Sequence, residues 1–229
     1  MGAETTVANT GRRSPPNERR REPPAASGHR FFLYLEGPGD QAILRSWARR
    51  LSRRLEKAIN ESSVIMGGRR PARALEHFRA RREEDSAVRG VCVLDHDDRE
   101  EPVPRAERGL EFFTWPRRHI ESYLLVAPAI RRHTRNTAHL EQIERFLDGR
   151  DLGPVATHAK SLLGRNGDLS KALGQPIWAA GVAQAMRREE IHEDVHTLFA
   201  RICHSAAVPV PETLRAHDPA TDRARRRSD

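Results

Sequence analysis

Lysine is nearly absent from this chain: of 40 basic residues only Lys57, Lys160 and Lys171 are lysines, and arginine supplies the rest. A GC-rich coding sequence produces such a bias without selection for binding, so each of the three lysines merits individual inspection. Cysteine is as scarce, with Cys92 and Cys203 alone in 229 residues, which excludes a disulfide-stapled scaffold. Cys92 falls in an apolar run and Cys203 on a helix-like face, so both are expected to be reduced core or interface residues. No apolar run approaches the roughly 20 residues of a spanning helix, and the first 30 residues lack the apolar stretch of a secretory signal. These absences predict a cytoplasmic protein with no membrane partner. A Gly-x-x-x-x-Gly-Lys-Ser/Thr phosphate loop is also missing.

What is present is charge. Hydrophobic residues make up 37% of the chain and charged residues 31%, with a mean hydropathy of −0.72, so a compact body is expected to share the chain with solvated tails. The length suits one medium domain, or one domain with a small annex. A net charge of +8 and a pI near 10.5 favour an anionic partner, most simply nucleic acid.

Residues 1–28 carry Pro15-Pro16, Pro23-Pro24 and a mix of Gly, Ser, Thr, Arg and Glu with almost no apolar periodicity, which predicts a disordered basic tail. Phe31 to Leu35 is a short continuous apolar run of the kind found in a strand buried on both faces. Glu36-Gly37-Pro38-Gly39-Asp40 then forms a turn before the helical pattern Ile43, Leu44, Trp47, Leu51, Leu55. Ser62 to Met66 predicts a second strand closed by Gly67-Gly68, and Ala74, Leu75 and Phe78 a helix to about Glu84. Val88 to Leu94 predicts a third strand ending in Asp95-His96-Asp97-Asp98; Glu111 to Trp115 predicts a fourth, with a helix starting at Ile120, Tyr123 and Leu124. Alternation at this spacing predicts an α/β fold: a mainly parallel, Rossmann-like sheet flanked by helices over 29–126. From 127 to 206 the pattern is helical only, an α-helical annex, and 207–229 is expected to be a flexible C-terminal tail.

Working sites in such sheets lie at the carboxyl ends of the strands. Glu36 and Asp95 both follow predicted strands and should emerge there, joined by Asp40 and Asp97. Carboxylates gathered a few Å apart repel and raise one another's pKa unless a cation compensates. Mg²⁺ does so through hard oxygen ligands completed by water and phosphate. An isolated Asp after a strand is as often a helix cap or turn former, so the joint pattern carries the weight.

That pattern, Glu36-Gly37 with Asp40 and then Asp95-His96-Asp97, resembles the TOPRIM domain of topoisomerases, primases, recombination proteins and OLD nucleases. The Gly67-Gly68 turn and the segment Trp115-Pro116-Arg117-Arg118-His119-Ile120-Glu121-Ser122-Tyr123-Leu124-Leu125 are similar to the OLD-family branch, and His158-Ala159-Lys160 to its downstream stretch with a cleavage-assisting lysine. The resemblance spans roughly 30–165. It implies a TOPRIM sheet, Mg²⁺ or Mn²⁺ held by Asp40, Asp95, Asp97 and Glu36, with Glu121 completing a second ion site, and Glu36 also able to shuttle a proton. Lys160 would offset charge in the transition state. The implied activity is a metal-dependent endonuclease acting on nucleic acid, with DNA the expected substrate. The implied setting is anti-phage or anti-plasmid defence beside a separate ATPase. Topoisomerases need a tyrosine nucleophile, and only Tyr34 and Tyr123 exist here; primases need further domains.

Arg69, Arg70, Arg99, Arg117 and Arg118 follow turns or strand ends and are expected around a bound phosphate, where arginine forks suit phosphate oxygens. His192-Glu193-Asp194-Val195-His196 formally matches His-Glu-x-x-His, but no persuasive third ligand follows. Its stripe of Ile191, Val195, Leu198 and Ile202 predicts packing or a homodimer face instead. Two other functions fit less of the chain. A scaffold or binding protein would leave the acids vestigial. A haloacid-dehalogenase-type phosphatase would use Val91 to Asp97 as its nucleophile segment, but that family carries Thr or Val where Arg99 stands, and Glu36-Gly37 would be unexplained.

Overall fold

The predicted apolar runs become the four strands of one sheet. The computed structural model describes residues 30–96, 102–105, 107–135, 139–148 and 159–217. The expected N-terminal tail, Asp97, Arg99 and His158 lie outside the described residues. Strands β1 (Phe31–Leu35), β2 (Ser63–Ile65), β3 (Arg89–Leu94) and β4 (Leu110–Thr114) are all parallel, in the order β2-β1-β3-β4. The fold is α/β. Leu35 pairs with Ile65, Tyr34 with Cys92 and Leu94 with Thr114, so the residues that follow the strands emerge together on one rim. Because β1 lies between β2 and β3, the chain leaves it in opposite directions, and the crevice of such a sheet falls at the carboxyl ends of β1 and β3.

Alternating strand side chains feed two apolar layers. Leu33, Leu35, Val91, Val93 and Phe113 pack with α1 (Pro38–Leu51) and α2 (Arg53–Ser62), while Tyr34, Cys92, Leu94 and Leu110 pack with Phe78 and Ala74 of α3 (Pro71–Glu84). The single helical run expected from Ile43 to Leu55 is two helices. Ser52 is extended at φ −161°, closes α1 with its N–H on the Ala48 carbonyl and opens α2 by accepting the Leu55 N–H on its hydroxyl. The helix expected at Ile120 is likewise a short 3-10 helix (Ile120–Leu124), and α4 (Ala127–His133) starts only after an extended Val126, with a proline in its first turn.

The annex continues with α5 (Leu140–Asp148), α6 (Ala159–Leu162), α7 (Asp168–Leu173), α8 (Ala179–Ala185) and α9 (Glu193–Ser205). It shares one apolar cluster with the sheet: Trp47 of α1 is fully buried, and its indole N–H points at Met186 Sδ at 3.1 Å. Ile191, Val195, Leu198 and Ile202 all lie inside that cluster, so the α9 stripe serves packing within the chain and not a dimer face. The expected start of the C-terminal tail at 207 also moves. Val208 and Val210 pack on the cluster and Leu214 is buried in it, within a 3-10 helix over Glu212–His217 that lies against α9. Both cysteines are free and buried. No described helix is long and apolar enough to cross a membrane.

Candidate acidic site at the carboxyl rim of the sheet

Glu36 is fixed from both ends. Its carbonyl accepts the N–H groups of Gly67 and Gly68, at 3.1 and 2.9 Å, and its Oε1 accepts the Asp95 N–H at 2.9 Å. The ends of β1, β2 and β3 are thereby tied at one residue. Gly67 and Gly68 have φ of +77° and +115°, which a side chain resists, so the expected turn is a glycine turn for a steric reason. Gly37, expected in the same role, has an ordinary extended φ of −144°; its part is to donate its N–H to Asp40 Oδ2 at 2.9 Å. A Cβ added at Gly68 meets nothing within 4 Å. Gly68→Ala should therefore lose only backbone energy, about 1–3 kcal/mol, seen as a melting temperature lower by about 2–4 °C per kcal/mol. An unchanged melting curve would show that the turn tolerates a side chain.

Asp95 is the hub. Its carboxylate is buried, at 8% side-chain exposure, and Oδ2 lies 2.5 Å from Lys160 Nζ and 3.2 Å from His119 Nδ1, while Oδ1 accepts the Ile120 N–H at 3.4 Å. Lys160, expected only by resemblance to come near, reaches the hub from α6. Burial alone would lower its pKa, but the Asp95 hydrogen bond and the charges of Asp95, Glu121 and Asp40 outweigh burial and raise it. His119 was not foreseen as a site residue. Its place before Ile120, in a segment running from a strand end, was the available signal, but a lone histidine there is not diagnostic. Burial lowers its pKa, with Lys160 and Arg118 adding to the effect and Asp95 opposing it.

The other acids face the same charges. Asp40 both caps α1 and feels Asp95 and Lys160; burial first, then Asp95, raise its pKa against the Gly37 hydrogen bond. Glu36 is raised by burial and by its neighbours Asp95 and Asp40, with the Asp95 N–H and Lys160 opposing. Glu121 is pushed up to about 7, mainly by burial, and its Oε2 is buried without a hydrogen-bond partner. Among the described residues no group of three or more His, Cys, Asp or Glu side chains is arranged so that it could hold a metal ion; Asp97 lies outside them. In kind, the donors still fit a hard divalent cation. All are carboxylate oxygens, and an orphaned buried carboxylate oxygen such as Glu121 Oε2 is the group a cation would satisfy.

The arginines divide. Arg69 has buried Nε and Nη1 atoms with no partner among the described residues, and Arg70 is exposed at the start of α3. Arg118 hands its carbonyl to the His96 N–H at 2.9 Å. Arg117, expected to meet phosphate, is turned into the fold. Its N–H donates to Tyr123 Oη, its Nη1 to the Ser122 carbonyl, and its guanidinium lies 4.8 Å from the Tyr123 ring centre. The His-Glu-x-x-His segment is structural in its contacts: His192 Nδ1 accepts the Asp194 N–H at the start of α9, and Asp194 accepts the Tyr123 hydroxyl at 2.8 Å. Compared with protein-family models, curated proteins and solved structures, the chain matches none, so a functional reading rests on the geometry of this rim.

Proposed function

We propose that the chain is a metal-dependent nuclease of TOPRIM type, similar to the OLD family, hydrolysing phosphodiester bonds of nucleic acid, DNA first. One observation carries the reading. Asp95 donates its N–H to Glu36 and binds Lys160 through Oδ2, partners 59 and 65 residues away in the chain, at the crevice where the parallel sheet reverses order. A rim built only for stability gains little from gathering buried acids there.

The resemblance assigns Mg²⁺ or Mn²⁺ to Glu36, Asp40, Asp95 and Glu121, with Asp97 as the remaining expected ligand. The first four are not grouped around one point in the structure, and Lys160 occupies Asp95 Oδ2, so an ion would have to draw them together. When bound, the ion supplies Lewis-acid activation of the phosphodiester. Glu36 would accept a proton from an attacking water. Lys160 Nζ, half exposed beside Asp95, can donate to a phosphoryl oxygen as negative charge builds on it. Arg69 brings guanidinium donors that no described residue uses, as a phosphate contact requires. A separate ATPase and a role in defence follow from the resemblance alone.

Purified protein incubated with supercoiled plasmid and Mg²⁺ or Mn²⁺, in parallel with chelator and with a small phosphomonoester, tests the reading. Nicking or linearisation that needs the metal supports it. Turnover of the monoester without plasmid cleavage would transfer the site to phosphatase chemistry. Inactivity toward both, with and without the product of a neighbouring ATPase gene, would favour the scaffold.

A further inference from the structure

Of the three lysines, Lys160 is the one that the fold takes in. Lys57 and Lys171 are 73% and 71% exposed and pair with acids on their own helices, Glu61 and Asp168, whereas Lys160 is half exposed and reaches from α6 to the aspartate that follows β3. A carboxylate oxygen offers two lone pairs, and those of Asp95 Oδ2 face Lys160 Nζ at 2.5 Å and His119 Nδ1 at 3.2 Å. That oxygen is fully engaged by the chain's own groups, while Oδ1 meets only the Ile120 N–H at 3.4 Å. The same ammonium reaches the other acids. Its charge opposes the burial-driven rise in pKa at Glu36, Asp40 and Glu121, so one positive charge serves four carboxyls drawn from three stretches of chain.

A divalent ion at this rim would act on the same carboxyls with twice the charge. The two cations cannot share Asp95 Oδ2. Bonds of about 2.0–2.1 Å to magnesium need the lone pair that Nζ takes, and an ammonium left beside the ion would repel it. Lys160 is able to yield: its flexible four-carbon stem and half-exposed position let the ammonium return to water.

We infer that Lys160 is the resident cation of the rim: it holds Asp95 Oδ2 and must release that oxygen before Mg²⁺ or Mn²⁺ can take it. The inference rests on the metal reading of the rim and adds how the site is regulated. Once released, the ammonium is available to a phosphoryl oxygen, so ion and phosphate favour one another's binding.

The scarcity of lysine makes the exchange visible. In the full chain carrying ¹³Cε-labelled lysine, each lysine gives one side-chain signal, and Lys160→Arg removes and so identifies its own. Adding Mg²⁺ should move the Lys160 signal toward those of exposed Lys57 and Lys171 and leave theirs in place. A Lys160 signal that stays while Mg²⁺ raises the melting temperature overturns the inference. Mn²⁺ affinity, read from the electron paramagnetic resonance of the free ion, is the second measurement. Lys160→Met should bind Mn²⁺ about 10-fold more tightly than the wild type, within the usual range of coupling between two sites. Lys160→Arg, which keeps the charge, and Lys57→Met, which loses one elsewhere, should match the wild type. Unchanged or weaker affinity in Lys160→Met overturns the inference, as does equal tightening in Lys57→Met. Should Lys160→Met fail to fold, the labelled wild type decides alone. Mn²⁺ bound by none of these proteins would remove the metal reading and the inference together. The expected shifts with plasmid left intact would keep the inference and remove the nuclease.

Discussion

Asparagine at position 95 is expected to lower metal-dependent strand cleavage on the order of 10²–10³-fold or more, as loss of a central charge-stabilising group does, while leaving the protein folded. The substitution keeps the shape, the Oδ1 acceptor for the Ile120 N–H and the backbone N–H that Glu36 accepts. What it removes is the negative charge that meets Lys160 Nζ and that a divalent cation needs. Asp95 is buried and Lys160 half exposed, so the lost ion pair and the relieved repulsion from Glu36 and Asp40 offset each other in stability. A gel assay of supercoiled plasmid beside a thermal melt separates the two effects. Wild-type rates in a well-folded Asp95→Asn protein would remove this residue from the chemistry.

The second large effect is one of sign. Glu121 ionises near pH 7 in the fold against an ordinary value of 4.5, because burial disfavours its charge. Below about pH 4.5 the carboxyl is neutral folded or unfolded and nothing is lost. As pH rises toward 7 the unfolded chain releases the proton and the fold retains it, so stability falls; above about 7 the full penalty stands. Glu121→Gln, which cannot ionise, should therefore be more stable than the wild type at pH 8 in chelator by about 1–3 kcal/mol, and no more stable than it near pH 4.5. At about 2–4 °C per kcal/mol, the gain is readable by differential scanning fluorimetry. Millimolar Mg²⁺ or Mn²⁺ should then raise the wild type more than the variant, since a ligand that binds only the folded state stabilises it. Equal melting at both pH values would show that Glu121 carries no buried charge. An equal response of both proteins to the ions would detach it from the proposed cation.

The strands were legible because β1 and the Val91–Leu94 part of β3 are short apolar runs, each ended at once by turn residues, as strands covered on both faces are. The meeting of Glu36 and Asp95 followed from topology alone, since residues after parallel neighbours share a rim. The breaks at Ser52 and Val126 were not legible: the apolar spacing continues through both, and a serine cap and an extended valine leave no mark on that spacing. Arg117 and Arg118 are identical in sequence terms, and the Tyr123 ring and Ser122 carbonyl, brought close by the 3-10 turn, draw the first inward. Glu121 was singled out, but its buried, unpartnered oxygen depends on helices far along the chain. Asp40 caps α1, the blander of the two readings open to it, and also feels the charges of Asp95 and Lys160.

Lys160 arrives from α6, 65 residues beyond the aspartate that it neutralises. A ribosome adding about 5–20 residues per second would expose the acids several seconds before their counter-ion is made. The newborn sheet would thus spend its first moments with mutual repulsion at one end, and would gain its full complement of charges only when the later helices close over the shared apolar cluster. The charge balance of the rim is in this way coupled to the arrival of the later helices.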